Sequence, residues 1–536
     1  MKDKVKNIIW ILFFVFTSLL VEAQIYPTDK LVLRHTQIMF AYPQVRGAQV
    51  YEIEIAVNNP DSFNNRIIYL AKDSSTAHLV KEKLFFGNSY KWHYCAYSNG
   101  KKIFHSKDYL FSIVNTKLVS DFRANAITND STKIQNGLIL LDNGVIIDRK
   151  GNLVLITDSF GVEKRDFSLT PQNTLTYLQT TSAYEKSLNG DLIWKTKEIK
   201  TEKELIYNYH HDLIKLKNGN YLVLCKVKEL NNPLFKNNLD EGIVELDSTN
   251  HIVWLWKEFV EITDTIGIKK THLNSIYLNE PRNKLFVSGR DINTIFRIDR
   301  ATSKIESCIG TLLNSDGDHY PQNLFSGQHS VQLLENGNIL LFNNNVKTGR
   351  NGVSSILEIN QPNKKSPQVA VKYGYIYMFE NQEENFCAKG GDVNKLKNGN
   401  YLVSSSANNR NFELSQSKKI VWQCQPEKFD TITKLWIPLG SYRINFSESL
   451  YPYYFTIEAI YQNKSTIGYK ITNKGSNEET YKVEIITSKG LIIKESQIIV
   501  APNQNSKMLF DKNVVKNCQV KISSLSAMSS KVILIN

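Results

Sequence analysis

Long helical periodicity is nearly absent from this 536-residue chain after its first two dozen residues, which excludes a helical bundle or a sheet wrapped in helices. Cysteine is scarce. Cys95, Cys225, Cys308, Cys387, Cys424 and Cys518 stand far apart with no CxxC pair, so neither a zinc ribbon nor a dense disulfide framework is expected, and buried free thiols are the default. The net charge is +13, with Lys+Arg 65 against Asp+Glu 52, yet no compact basic block or nucleic-acid signature accompanies it. Such scattered cations make a solvated surface that favours anionic partners and excludes DNA or RNA as the target. Past the N-terminus no segment is apolar for long enough to cross a bilayer.

Strand formers fill the remainder. Tyr 26 and Phe 25 accompany abundant Val, Ile and Thr, residues suited to pleated, half-buried surfaces. At 42% hydrophobic and 22% charged the composition is globular, and the length suits two to four domains. Lys2, Lys4 and Lys6 precede the apolar run Ile8 to Leu20, and Val21-Glu22-Ala23 offers a small-residue cleavage site before Gln24. Residues 1–23 therefore read as a signal peptide of an exported (periplasmic, surface or secreted) protein, with no cysteine for a lipid anchor.

Residues 25–117 alternate in short strands, and "PQVRGA" followed by "YEIEI" resembles a fibronectin type III or immunoglobulin-like sandwich with Trp92 as its core aromatic. Residues 120–442 repeat. "HDLIKLKNGNYLVLC", "HSVQLLENGNILLFN" and "GDVNKLKNGNYLVSS" each read as strand, Asn-Gly turn, strand, the turn taking two positive φ values at low cost. "HLNSIYLNEPRNKLFVSGR" and "DNGVIIDRKGNLVLIT" are looser copies, and segments such as "GIVELDSTNHIVWLWK" return between them. Two hairpins per repeat make a four-stranded blade, so the expectation is a six-bladed β-propeller. Residues 443–536 read as a C-terminal β-sandwich, an accessory or sorting module.

His211 and His329 each lie seven residues before the Asn of their turns, Asn218 and Asn336, and Gly391 keeps the same offset from Asn398. Equal offsets put these residues at equal heights on different blades, around one axis. His272 opens the looser copy and is expected at the same level, with Asn274 on the same strand face. Arg290, ending the returning strand, reaches back to the same mouth. His210, next to His211, is expected to point to the opposite face and to pack. A single histidine on a strand is ordinarily a satisfied core residue; three with an arginine at matching positions read as an anion site.

The ordered set "HHDLIKLKNGNYLVL", "THLNSIYLNEPRNKLFVSGR", "GQHSVQLLENGNILLFNNN" and "GGDVNKLKNGNYLVSSS" resembles the bacterial aryl-sulfate sulfotransferases (arylsulfotransferases). That resemblance implies a six-bladed propeller moving a sulfuryl group from an aryl sulfate donor to a phenolic acceptor, without a nucleotide sulfate donor or other cofactor, by ping-pong through a sulfated histidine. It implies His329 as nucleophile, His211, His272 and Arg290 as holders of the sulfuryl oxygens, and Asn274 as a supporting polar group. "SCIGTL" at Ser307 departs from a tryptophan-bearing family segment, which bears on the acceptor. The competing readings are a zinc or copper site, which Arg290 opposes, a non-catalytic module binding sulfated or phenolic ligands, and a sulfohydrolase using water as acceptor. Asp212 and Asp392, each following an axial position, are expected to point away from it.

Overall fold

The computed structural model describes residues 25–58, 66–158, 163–230, 240–257, 271–310, 317–347, 352–376, 379, 381–462, 465–487, 490–515, 518–526 and 530–535. The leader read at 1–23 lies outside them. The chain is all-β, 55% strand against 4% helix, and its middle is propeller-like.

Among the described residues six sheets follow one another between Phe122 and Ser447, antiparallel but for the edge strand Asp318–Tyr320 of the fourth. The first joins Leu138–Leu141, Val145–Asp148 and Leu153–Ile156 to Ile444–Ser447. The second, fourth, fifth and sixth begin on Arg165–Leu169, Leu273–Asn279, His329–Leu333 and Asp392–Lys395, and in the third Leu213–Lys215 leads into Tyr221–Glu229 beside Glu204–Tyr207. Strands inside a sheet are covered on both faces. Ile339–Asn343 is buried at every position: Ile339 and Leu341 pack with Phe286 and Ile295 of the fourth sheet, Leu340 and Phe342 with Val393 and Tyr401 of the sixth. Each such side chain contributes roughly 1.5–3 kcal/mol by leaving water, so the sheets adhere face to face through a continuous apolar filling.

A belt of side-chain to backbone hydrogen bonds links the leading strands. The Leu213 amide donates to Asp166 (2.8 Å), Ile276 to Asp212 (2.6 Å), Val331 to Ser275 (3.1 Å), Val393 to Ser330 (3.2 Å) and Ile444 to Asp392 (3.0 Å). Asp142, following the strand that pairs with Ile444–Ser447, accepts from the amides of Phe167 (3.1 Å) and Arg443 (2.9 Å) and returns the belt to its start. Short acceptors at one height on successive leading strands thus tie the six sheets to one another.

The Asn-Gly turns take a different form from the expected one. Gly219, Gly337 and Gly399 have φ of 88°, 83° and 85°, while the preceding asparagines keep ordinary negative values. These are three-residue loops with a left-handed glycine closing a bulge. The asparagine is held out of the left-handed region by its other tasks. Asn336 and Asn338 both donate to Glu358 (2.9 and 2.6 Å), Asn218 and Asn220 to Glu245 (3.1 and 2.7 Å), and Asn398 and Asn400 to Glu413 (3.4 and 2.6 Å). Each turn clamps a buried carboxylate on the third strand of its sheet.

Before the six sheets, Leu31–Leu33, Val50–Val57, Ile67–Asp73, Ser89–Ser98, Lys101–His105 and Tyr109–Ile113 form one sheet, and Ile38–Ala41 pairs with Ala77–Val80. Trp92 is fully buried between them, against Phe40 and Tyr109. After them, sheets of three and four strands enclose a core of Tyr481, Val483, Val520 and Ile522. All six cysteines are buried free thiols.

Candidate active site

The residue just before each of the five leading-strand acceptors turns to one side of the belt, and so does Tyr442, before Arg443, whose amide donates to Asp142. Arg165, His211, Asn274, His329, Gly391 and Tyr442 occupy these six places, and all line a cavity of about 410 Å³ together with His272, Arg290, Lys389, Gly390, Asp142 and Arg443. The four predicted residues and Asn274 therefore share one chamber. Below the belt lies a second space of about 420 Å³, lined by Asp166, Asp212, Asp392 and Arg443 among others. Arg443 belongs to both and divides them. The histidines are all above it, so the chemistry is assigned to the upper chamber.

The backbone explains how neighbouring residues reach it. Asp166, His211, His272 and Ser330 have φ between 54° and 59°, a left-handed conformation rare for residues with a side chain, costing of order 1–3 kcal/mol and concentrated at functional sites. A left-handed residue breaks strand alternation, and this corrects two expectations. His210 is not on the face opposite His211: their Nδ1 atoms are 2.8 Å apart. Asn274, and not His272, holds the place equivalent to His211 and His329, since Ser275 is the belt residue of its strand. His272 lies two residues earlier, with its ring 5.2 Å from that of His211. Gly391 carries no side chain there because a Cβ would run into the Phe342 ring.

His329 is held in a defined protonation form. Its Nδ1 lies 3.0 Å from the Gly327 carbonyl and 2.7 Å from Asn344 Oδ1. The Asn344 amide is oriented by donating to the carbonyls of Cys387 (2.8 Å) and Gly390 (2.7 Å), which leaves its oxygen towards the imidazole. Nδ1 therefore carries the hydrogen and Nε2 keeps its lone pair. Burial pushes the imidazole down to about 3, with the Arg290 and Arg443 charges adding to it and the Asn344 contact opposing. Burial likewise lowers His210, to about 4, and His211, whose depression the neighbouring His210 and Arg165 deepen. These imidazoles are neutral at pH 7.

Fixed cations supply the positive field instead. Arg290 follows the strand Lys284–Gly289; its amide donates to the His272 carbonyl (3.0 Å), and its guanidinium bonds Asp291 (2.6 Å) and the Ala388 carbonyl (3.1 Å). Asp291 also meets His272 Nδ1 at 3.3 Å; burial would raise this carboxyl, but His272 and Arg290 hold it below its usual value. Arg165 lies 3.5 Å from His211 Nε2 and over the Tyr442 ring at 4.7 Å. Arg443 donates to Asp212 (3.0 Å) and the Asn274 carbonyl (2.9 Å), with Asp166 at 3.6 Å. Burial alone would weaken its charge; Asp212, Asp166, Asp392 and Asp142 reverse that and keep it cationic. Asp212 and Asp392 thus face the axis from below, against the expectation that they point away from it, because the belt turns each leading-strand pair to opposite sides.

Arg165, Tyr442, Arg443, Asn344 and Lys389 went unrecognised in the sequence. A signal for the first three was present. Arg165-Asp166-Phe167, His211-Asp212-Leu213, Asn274-Ser275-Ile276, His329-Ser330-Val331, Gly391-Asp392-Val393 and Tyr442-Arg443-Ile444 share one pattern: a chamber residue, a belt residue, then an apolar residue. Asn344 and Lys389 sit on connections with no such repeat.

Among solved structures the chain is similar to a catalytically inactive virginiamycin B lyase from Staphylococcus aureus determined with quinupristin, at 10% identity and TM-score 0.33, covering 56% of this chain and 87% of that one. It is also similar to a streptogramin B lyase (11%, TM-score 0.34, 62% and 100%) and a luciferin-regenerating enzyme (11%, TM-score 0.30, 65% and 88%). Comparison with curated proteins returns no match. The arylsulfotransferase (ASST) family model matches residues 123–443, which takes in every residue of the chamber and the six sheets up to the closing strand Ile444–Ser447. The chain belongs to the arylsulfotransferase family.

Proposed function

We propose that the protein is an aryl-sulfate sulfotransferase working by ping-pong through sulfated His329, on a six-bladed propeller that extends to Ser447 and lies between an immunoglobulin-like domain and a C-terminal sandwich. The observation that carries this reading is the tautomer of His329, whose Nε2 lone pair is left free in a chamber lined by Arg165, Arg290, Lys389 and Arg443. In the first half-reaction Nε2 attacks the sulfur of the aryl sulfate. The N–S bond forms, the S–O bond to the ring breaks, and the phenolate leaves with the bonding electrons. In the second, the acceptor phenol gives up its hydroxyl proton to solvent, from which the released phenolate takes one, and the acceptor oxygen attacks the same sulfur and returns the pair to Nε2. A covalent intermediate divides one difficult displacement into two easier ones.

The sulfuryl group spreads negative charge over its oxygens as it transfers. Arg290 meets that charge with a planar cation that burial cannot neutralise, and the preorganised setting strengthens the effect. Arg165, which can only donate, faces His211 Nε2 at 3.5 Å and stands beside that imidazole as a further cation for the sulfuryl oxygens. His272, held by Asp291, offers a second imidazole. Asn274 Oδ1 is a buried acceptor without a partner among the described residues and suits the hydroxyl hydrogen of the acceptor phenol. No metal or organic cofactor is used in this scheme. Transfer from a chromogenic aryl sulfate to phenol tests it: His329→Ala is expected to lower kcat by on the order of 10³-fold or more, and equal activity in that variant overturns the assignment. Mass spectrometry of donor-quenched enzyme should find one sulfuryl group on His329.

A further inference from the structure

A second cluster of chemistry-bearing side chains lies far from the chamber in sequence, on the sheet that precedes the propeller-like region. His93 and Cys95 are two apart on the strand Ser89–Ser98, hence on one face, and His105 is the cross-strand partner of Cys95. One possible ligand atom from each, all three, lie within 4.8 Å of one another. Tyr90, Trp92, Tyr94 and Ala96 of the same strand fill the apolar core, and Cys95 is not among that core. It is nevertheless only 1% exposed, buried on the outer face beneath polar neighbours. A free thiol placed there fills no apolar gap.

The outer contacts of the two imidazoles are those of ligating histidines. His105 Nδ1 lies 2.6 Å from the Ser106 carbonyl, and His93 Nδ1 lies 3.2 Å from Asp108 Oδ1. Both acceptors take an Nδ1 hydrogen, so both Nε2 lone pairs are free, and the rings stack at 4.7 Å. A carboxylate or carbonyl behind a ring nitrogen fixes the tautomer and raises the basicity of the other nitrogen towards a metal. Glu52 and Glu54 stand opposite Cys95 and His93 on the adjoining strand and add negative charge to this face. Lysines oppose this charge: Lys102 reaches the Cys95 sulfur, Lys91 lies 3.6 Å from Asp108 and Lys72 2.9 Å from Glu52, each on a flexible stem that can swing into water.

We propose that His93, Cys95 and His105 bind a zinc ion, with Asp108 and the Ser106 carbonyl orienting the two imidazoles. One thiolate and two imidazoles match zinc in softness, and bonds of about 2.3 Å to sulfur and 2.0–2.1 Å to nitrogen bring such a ligand set within about 4 Å of itself. Closure on one ion requires the exposed His105 ring to turn out of its stack with His93. The fourth position opens to solvent.

The test uses the full chain, stripped with a chelator and titrated with zinc or cobalt ions alone. One zinc per chain is expected, and cobalt should give a thiolate-to-metal charge-transfer band that Cys95→Ser abolishes. His105→Gln, an exposed change that should leave the fold intact, is expected to weaken zinc at least about tenfold, and Asp108→Asn by about 10–100-fold. Lys102→Ala should tighten it. His329→Ala should leave zinc and the cobalt band unchanged. The proposal is overturned if the stripped chain takes up no zinc, if His105→Gln and Cys95→Ser bind it as the parent does, or if His329→Ala removes it.

Discussion

A single amide decides which nitrogen of His329 is the nucleophile. Asn344 can present only its oxygen to the ring, because its nitrogen is committed to two carbonyls, and the imidazole is neutral down to about pH 3. Protonation of His329 should therefore leave no acid limb in kcat/KM between pH 5 and 8. Asn344→Asp puts a carboxylate where the amide oxygen stood and raises the imidazole pKa. Since the imidazolium has no lone pair on Nε2, the variant should lose rate as pH falls through the raised value, and a kcat/KM profile reads this directly. Asn344→Leu removes the anchor without the charge; it should cost on the order of 10–100-fold with no new limb, by analogy with the loss of an orienting partner at a metal-bound histidine. None of this was legible in the sequence, where Asn344 is one letter of an Asn-Asn-Asn run. His211 and His329 were legible because they repeat with a turn, and a residue on an unrepeated connection has no offset to align.

At the level of the hairpin, the repeated Asn-Gly-Asn was correctly read as a turn, but its purpose lay in a partner some 15–25 residues away. The clamped glutamates have further obligations: Glu413 pairs with the buried Arg149, Glu245 with Arg300, and Glu358 accepts from Tyr401 at 3.4 Å. Glu413→Ala would leave Arg149, stacked at 4.0 Å over Trp422, as an unpaired buried cation. Urea denaturation should show about 3–5 kcal/mol lost, whereas Asn398→Ala, which removes a bond to the Lys133 carbonyl (3.2 Å), one from the Asn400 amide (3.0 Å) and a long one to Glu413 (3.4 Å) but strands no charge, should cost less, about 1–2 kcal/mol. The belt shows the same limit. Its chamber-belt-apolar triplet is written six times, yet with Asp, Ser or Arg in the middle it has no constant letter, and hydrogen-bonding capacity is what repeats.

Across the whole molecule, buried neutral imidazoles link stability to acid. His35 and His210 are lowered to about 4 and His329 to about 3, burial being the main cause in each. The unfolded chain takes up these protons near pH 6.5 and the folded chain resists until its lowered values are reached. Stability is therefore full above about pH 6.5 and falls below it, by roughly 1.4 kcal/mol per pH unit for each such imidazole. Burial raises the Asp142 carboxyl to about 7, which works in the opposite direction over the same range, so urea midpoints measured from pH 7 to 5 should decline more steeply in Asp142→Asn than in the parent. Arg443→Met should be more damaging than any of these, by more than about 4 kcal/mol, since the Asp142, Asp166, Asp212 and Asp392 carboxylates lose their shared counter-charge.

The strand Ile444–Ser447 pairs with Leu138–Leu141, and the two residues before it, Tyr442 and Arg443, wall the chamber. Bringing those ends together, with the pairing of Phe122–Thr128 to Ile420–Phe429 beside it, closes a loop of about 300 residues, whose chain-entropy cost makes this closure late. A chain still emerging, or only partly refolded, can have every histidine in place on its own hairpin and yet lack a floor beneath them. Recovery of activity should consequently trail recovery of β-sheet signal during refolding, so that the reactive nitrogen meets a donor only inside a completed molecule.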